Sequence, residues 1–261
     1  MDNQQAYWEN YTSYWLKRVR DSNHKTQRGD HTPDDQVMLK YINLLSQKIQ
    51  SCKAEMGGGD IKVLDYGCGF GRAYPFFQQN NIKYYGCDIA QSCIDLCVKN
   101  YPSIEVKKLL QNGEIPYGNN SFDGIFCYGV FDACFQNLTL LEMLKKLNNN
   151  GILLLTGKNT NYFNDDNDAL YAEEKARENG HPNFFTDTLL MLEELKNRNF
   201  EILEARFFKR RKDNSTDTYT TKECNRFYTF AILIKKTKDS ILKPFENFSY
   251  KYSVTFKEKC E

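Results

Sequence analysis

Three glycines in the sequence GCGFG, at Gly67, Gly69 and Gly71, come directly after a short apolar segment and before a stretch with helical periodicity. Because glycine has no Cβ atom, a loop of this kind lets the backbone pass close to a bound ligand. A dinucleotide-binding loop has the spacing G-x-G-x-x-G, whereas this loop has G-x-G-x-G, with Arg72 in the place of the last glycine. The loop therefore indicates a ligand site and disfavours a nicotinamide or flavin dinucleotide.

The glycine loop resembles motif I of the class I S-adenosylmethionine-dependent methyltransferases, in which the loop follows an acid-containing strand. Here that acid is Asp65. Four later stretches are similar to further segments of the same family, in the same order: residues 84–89, 115–123, 147–154 and 184–200. The resemblance covers about residues 60–207. It implies the small-molecule branch of the family, with S-adenosyl-L-methionine as cofactor and S-adenosyl-L-homocysteine as product.

The resemblance also implies which residues bind the cofactor. The three loop glycines are expected near its methionine and adenosine parts, and Asp65 beneath them. Asp88 falls where the family has an acid for both ribose hydroxyls, a role that suits a carboxylate because it accepts two donors at once. Gln111 stands where the family usually has an acid for the adenine amino group, and its carbonyl can accept the same bond. The other expected cofactor ligands are Cys68, Arg72, Ile89, Asn112, Tyr128 and Tyr11.

The acceptor decides which catalytic side chains are needed. Methyl transfer from a sulfonium is an in-line displacement that depends mainly on positioning. A hydroxyl or amine acceptor needs a general base, whereas an oxygen that is already anionic does not. We predict His181 and Asp132 as catalytic residues, because both fall in segments that face the acceptor in this fold. The alternatives are an exposed loop histidine and an N-cap for the following helix.

Charged and thiol clusters elsewhere predict no metal site. The run of residues 165–168, DDND, lacks the spacing of a calcium loop and indicates a solvated turn. Cys93 and Cys97 lie one helical turn apart, but no second pair completes a zinc site, so both are expected in the core. The basic residues 209–212 indicate a solvated hairpin; folded over the site, they would favour a phosphate-bearing acceptor.

Short apolar segments alternate with helical ones, which predicts an α/β fold. We expect a seven-stranded, mostly parallel sheet with helices on both faces and an antiparallel last strand, the Rossmann-like methyltransferase fold. The predicted strands cover residues 61–66, 83–87, 104–108, 123–128, 151–156, 200–207 and 226–235. The predicted helices between them cover residues 71–80, 90–100, 137–147 and 187–198, with a shorter one at 169–179.

The remaining length predicts three additions to this fold. Residues 1–58 form an aromatic-rich arm and a helix that starts after Thr32, and the arm either covers the cofactor as a lid or braces the sheet. The methyltransferase domain covers residues 59–236, with an acceptor-side insertion at 158–185. In the extension 237–261, alternating aromatic residues from Phe248 to Phe256 predict a strand that covers a sheet edge or joins the interface of a homodimer.

The composition of the chain disfavours some classes of partner and location. The 35 Lys and Arg nearly balance the 34 Asp and Glu, which disfavours nucleic acid as a partner. The longest wholly apolar run, residues 152–155, is too short to span a membrane. The start of the chain has no signal-peptide pattern, and nine cysteines without a C-x-x-C pair suit reduced thiols, so we expect a cytoplasmic protein.

The resemblance, together with this composition, implies methyl transfer to an oxygen, in preference to a nitrogen, of a small polar acceptor. A sugar, a nucleotide-linked precursor or a capsular polysaccharide precursor fits this description. One alternative is O-methylation of an anionic phosphoramidate or phosphate group on such a precursor. Others are a non-catalytic cofactor-binding module, an aminopropyl transferase relative, and a dinucleotide oxidoreductase.

Overall fold

The computed structural model describes residues 5–10, 33–55, 57–110 and 113–255. Its helices are α1 (residues 5–10), α2 (Pro33–Glu55), α3 (Tyr74–Gln79), α4 (Gln91–Asn100), α5 (Gln136–Lys146), α6 (Asn167–Glu178), α7 (Thr188–Asn197) and α8 (Asp213–Thr216). Its strands are β1 (Lys62–Tyr66), β2 (Lys83–Asp88), β3 (Glu105–Lys108), β4 (Phe122–Cys127), β5 (Leu147–Lys158), β6 (Phe185–Thr186), β7 (Glu201–Phe208), β8 (Thr229–Lys235) and β9 (Ser249–Tyr250).

Seven strands form one mixed sheet in the order β3-β2-β1-β4-β5-β8-β7. Strand β2 pairs in parallel with β1 and β3, and β4 pairs in parallel with β5. Strand β8 is antiparallel to both β5 and β7. The predicted fold class is therefore confirmed, including the antiparallel last strand. By its contacts the chain divides into two compact units, Met1–Tyr117 and Gly118–Glu261, which are described separately below.

In the first unit, α2 buries one face at helical spacing, with Met38, Ile42, Leu45 and Ile49 almost fully covered. Helix α3 starts at Tyr74, later than the predicted start at residue 71. Residues 69–73 form turns instead, because the left-handed backbone of the loop (φ +83° at Gly71) cannot continue into a helix.

In the second unit, β5 is longer than the predicted strand 151–156. It begins at Leu147, directly after α5, and runs through the three asparagines before Gly151. Asn150 adopts a left-handed conformation (φ +64°), and the pairing with β4 shifts register between Phe122 and Gly124. The asparagines thus form an irregularity within a strand, where the pattern predicted a connection.

The predicted strand from Phe248 to Phe256 is wrong over residues 251–255, and Phe256 lies outside the described residues. Among residues 248–255, Ser249–Tyr250 pairs as β9, antiparallel to β6. Farther along the chain the small polar residues Ser253 and Thr255 are buried. The Thr255 Oγ1 accepts a hydrogen bond from the Tyr162 amide at 2.8 Å and donates one to the Tyr162 carbonyl at 2.5 Å. Val254, next to Thr255, is exposed.

Within the described ranges, no helix combines the length and apolarity needed to cross a membrane.

Candidate functional site

The glycine loop follows β1 and is tied to the end of β2. The amides of Gly67 and Cys68 both donate to the Cys87 carbonyl, at 2.8 and 3.0 Å. Gly67, Gly69 and Gly71 all have positive φ, at 74°, 53° and 83°, a conformation that residues with a Cβ rarely adopt. The three glycines are therefore required by the backbone path itself.

Asp88, the last residue of β2, is buried and holds the loop. Its Oδ2 accepts from the Gly69 amide at 2.9 Å, and its Oδ1 accepts from the Ala90 amide at 2.9 Å. Burial raises the pKa of this carboxyl, against the lowering effect of the amides. Each carboxylate oxygen can accept a second donor, so hydroxyl groups can still bind Asp88.

Asp65 is buried at the end of β1 and accepts a hydrogen bond from the Tyr84 hydroxyl at 2.7 Å. Burial raises the pKa of Asp65 to about 7. This acid is thus poised to change its protonation state when a positive charge approaches.

The other predicted cofactor ligands of the first unit have varied surroundings. The Arg72 guanidinium forms an ion pair with Asp35 of α2 (Nη1–Oδ1 3.4 Å), and Ile89 is partly exposed beside Asp88. The Cys68 thiol is buried against Gly86, where an added Cβ would lie only 2.9 Å from its Sγ. Contact with Cys97, together with burial, raises the pKa of Cys68. Gln111, Asn112 and Tyr11 lie outside the described residues.

Sequence reasoning missed Gly86, Cys97 and Tyr84 as supports of the loop. The Cys97 thiol donates to the Gly69 carbonyl (Sγ–O 3.1 Å), which ties α4 to the loop. A glycine two residues before the predicted ribose acid was the available signal for Gly86, because a strand interior disfavours glycine unless another chain approaches closely.

The second unit carries a separate polar cluster after the carboxyl ends of β4 and β5. Tyr128 follows β4, is half-buried, and stacks on Phe126 with ring centroids 5.8 Å apart. Asp132 lies in a 3₁₀ turn, Phe131–Ala133, and does not cap α5, whose N-cap is Phe135. Instead, its Oδ2 lies 3.1 Å from Lys158 Nζ. The capping alternative for Asp132 is therefore wrong.

Lys158 is the centre of this cluster. Its Nζ lies 3.1 Å from Oε1 of Glu173 on α6 and 2.9 Å from Oδ1 of Asn183. Burial disfavours the charge on Lys158, but the carboxylates of Asp132 and Glu173 outweigh that effect and raise its pKa. Asn183 also donates to Glu173. We call Asp132, Lys158, Glu173 and Asn183 the Lys158 cluster.

Tyr228 connects a second cation, Arg211, to the Lys158 cluster by hydrogen bonds. The Tyr228 hydroxyl donates to Glu173, whose side chain is fully buried, and accepts from Arg211 Nη1 at 2.8 Å. Buried ion pairs contribute little net stability, because desolvation offsets their attraction. Such clusters are often functional sites.

His181 is half-buried close to the Lys158 cluster. Burial lowers the pKa of His181, and the charge of Lys158 lowers it further, against Asp132 and Glu173. The imidazole is therefore neutral near pH 7 and can accept a proton. The structure thus brings together the two predicted catalytic residues, and it adds Lys158 and Glu173, which sequence reasoning missed. A glutamate on the apolar side of α6, beside Ala169 and Leu170, was the available signal.

The acidic run 165–168 and the basic run 209–212 pair with each other. Arg210 makes two hydrogen bonds to Asp165, at 2.7 and 3.1 Å, and the Arg211 amide donates to Asp166 at 2.8 Å. Lys212 Nζ lies 2.8 Å from Oδ2 of Asp168. The side chains of Asp165, Asp168 and Lys212 are nevertheless exposed, as predicted for a solvated turn and a solvated hairpin, so these ion pairs lie at the surface. Arg210 and Lys212 already have anionic partners.

No group of three or more His, Cys, Asp or Glu side chains is arranged to hold a metal ion in the part of the chain described here. Cys93 and Cys97 are buried on α4, as predicted for core residues.

Comparison with known families shows which family the segment with the glycine loop resembles. Residues 64–155 match a family described as a methyltransferase domain. This segment is therefore similar to the methyltransferase domain family. The similarity supports S-adenosylmethionine as the cofactor. The chain is also 27% identical over 168 residues to an uncharacterized protein of Methanocaldococcus jannaschii, a match that covers 64% of this chain and 62% of that protein. The chain thus spans less than two thirds of this relative.

Several solved structures, among them methyltransferases, share the fold of this chain. A TehB-like S-adenosylmethionine-dependent methyltransferase from Corynebacterium glutamicum matches with a TM-score of 0.53 and 14% identity, over 88% of this chain and 99% of the other. A methyltransferase from Mesorhizobium loti matches with a TM-score of 0.52 and 13% identity, over 68% and 92%. The [4+2]-cyclase SpnF matches equally well (TM-score 0.52, 16% identity, 76% and 81%). The fold alone therefore does not fix the reaction.

Proposed function

We propose that this protein transfers the methyl group of S-adenosylmethionine to a hydroxyl oxygen of a small polar acceptor. The observation that carries the proposal is the position of His181, half-buried close to Asp132 and Lys158 of the Lys158 cluster, where burial and the charge of Lys158 lower the pKa of its imidazole. A hydroxyl must lose its proton as the methyl group is transferred, and a neutral imidazole is suited to take it. His181 is thus the proposed general base.

The position of the Lys158 cluster supports its assignment to the acceptor. Ligands of open α/β sheets bind beyond the carboxyl ends of the strands. Lys158 ends β5, and Asp132 follows β4, which runs parallel to β5. We propose that Asp132 orients the acceptor and the imidazole, while Lys158 fixes Asp132.

The charges favour a neutral acceptor over an anionic one. Lys158 lies between two carboxylates, and Arg210 and Lys212 each contact an aspartate. A phosphate or phosphoramidate group would have to displace these partners. A sugar hydroxyl, free or on a nucleotide-linked or capsular precursor, is therefore the proposed target. The near balance of 35 basic and 34 acidic residues supports a small acceptor over nucleic acid.

Methyl transfer from labelled S-adenosylmethionine to a panel of acceptors tests the proposal. The panel contains free sugars, nucleotide sugars, sugar phosphates and small amines. His181→Gln and Asp132→Asn are expected to lower turnover on a hydroxyl acceptor by about 100-fold or more, with affinity for S-adenosylhomocysteine unchanged. Asp168→Asn, which changes an exposed carboxylate, is the matched control and should keep full activity.

Two outcomes would contradict the proposal. Full activity of both variants on a sugar phosphate would show that an oxygen that is already anionic receives the methyl group. Tight cofactor binding with no turnover on any acceptor would favour a non-catalytic cofactor-binding module.

A further inference from the structure

Glu9, on the short helix α1, contacts the start of α4, 82 residues farther along the chain. Its Oε1 accepts from the Gln91 amide at 2.6 Å. Its Oε2 accepts from the Ser92 hydroxyl at 2.7 Å and from the Ser92 amide at 3.2 Å. Lys108 Nζ lies 3.9 Å from Oε1. The carboxylate thus makes four polar contacts with three residues of the first unit.

Helix α4 lacks a capping side chain of its own. Its N-cap is Ala90, which has no side-chain oxygen. The first amides of a helix have no partner within the helix, and a carboxylate stabilises them through hydrogen bonds and the helix dipole. Asp88 accepts from the amide of Ala90, and Glu9 accepts from the next two amides. Two carboxylates from distant parts of the sequence therefore share one helix start.

This sharing links α1 to the cofactor side of the domain. Asp88 uses its other oxygen to hold the Gly69 amide of the glycine loop. The turn from Asp88 to Ser92 is thus fixed at its first end by the loop and at its second end by Glu9. The two carboxylates also interact electrostatically, because the charge of Glu9 contributes to the raised pKa of Asp88.

We propose that Glu9 is a positioning residue for the cofactor: it docks α1 on α4 and fixes the turn that presents Asp88 to the ribose. Docking of α1 and binding of the cofactor are then coupled, and the coupling is reciprocal. The inference goes beyond the proposed function, because it concerns the cofactor and not the acceptor. Its test needs no acceptor substrate.

The experiment compares Glu9→Ala and Glu9→Gln with the intact chain. Calorimetry with S-adenosylhomocysteine is expected to show an affinity about tenfold weaker for Glu9→Ala. Glu9→Gln keeps an acceptor oxygen without the charge, so its affinity should lie between that of the intact chain and that of Glu9→Ala. Glu105→Ala is the matched control, since this carboxylate is about half exposed on β3 and pairs only with Lys83 among the contacts described. It should bind the ligand with unchanged affinity.

Hydrogen exchange supplies the readout that a merely structural cap would not change. S-adenosylhomocysteine should slow exchange at residues 5–10 and at Gln91 in the intact chain, and the effect on residues 5–10 should vanish in Glu9→Ala. Unchanged affinity in both Glu9 variants would overturn the proposal, whatever happens to thermal stability. Equal exchange at residues 5–10 with and without ligand would also overturn it.

Discussion

The Gly69 amide donates a hydrogen bond to Asp88 Oδ2 at 2.9 Å, so the acid proposed for the ribose also fixes the middle of the glycine loop. The spacing of the two residues in the sequence indicated only that both bind one ligand. The direct bond means that a change at Asp88 affects the loop and the ribose together.

Asp88→Ala is expected to weaken binding of S-adenosylhomocysteine by about 1.5–3 kcal/mol, because it removes charge-assisted hydrogen bonds. Asp88→Asn keeps one carbonyl oxygen and should lose less. Calorimetry measures both. Asp95→Ala is the control, since this carboxylate lies on the exposed side of α4 and accepts from the Gln91 side chain. Affinity equal to that of the intact chain in Asp88→Ala would refute the ribose assignment.

The raised pKa of Asp65 predicts a pH dependence of stability. This carboxyl titrates near pH 7 when folded, against 3.8 as its ordinary value. Between these values the folded chain holds a proton that the unfolded chain has released. The free energy of unfolding should therefore fall as the pH rises from about 4 to about 7, and change no further above that range. Urea unfolding should show a smaller fall for Asp65→Asn; parallel curves would contradict the assignment.

Binding of the cofactor should release a proton from Asp65 below pH 7. The ammonium group of the methionine moiety, expected near Asp65, favours the ionised carboxylate and lowers its pKa. Calorimetry at pH 6 in buffers with different ionisation enthalpies measures the number of protons released. Asp65→Asn should release fewer. If the release is the same in both proteins, Asp65 does not meet the ammonium.

The lowered pKa of His181 predicts the pH profile of turnover. The imidazole should lose its proton below the ordinary value of 6.5, so kcat/KM should rise with pH through a value below 6.5 and then stay level near pH 7. The rise should be absent in His181→Gln. A profile that rises only above pH 8 would assign the proton transfer to another group.

Arg211 and Lys212 are adjacent, yet substituting each of them should have a different effect on stability and turnover. Arg211→Ala takes a donor from the Tyr228 hydroxyl, which contacts Glu173, and should cost about 1 kcal/mol of stability with a loss of turnover. Lys212→Ala breaks only an ion pair between exposed side chains and should change neither measurably. Thermal unfolding and kinetics test both. Equal effects of the two substitutions on stability and turnover would show that the contact between Arg211 and Tyr228 does not support the site.

Local patterns predicted much of the fold. The strands β1 to β4 lie within one residue of their predicted ends, because short apolar runs between turn residues mark buried parallel strands clearly. The asparagine run before Gly151 was misassigned, because asparagine tolerates the left-handed conformation inside an irregular strand as well as in a turn.

The sequence by itself predicted the glycine loop, the ribose acid at Asp88 and the resemblance to a methyltransferase family, because spacing along a strand, a loop and a helix is local information. Tertiary structure alone decided which distant groups meet. Arg210 and Asp165 are 45 residues apart, and Glu9 and Gln91 are 82 apart, so no local periodicity links them. Contacts of this kind depend on how distant segments of the chain pack. Only the folded chain shows that Arg210 and Lys212 pair with aspartates and that Lys158 joins Asp132 to Glu173.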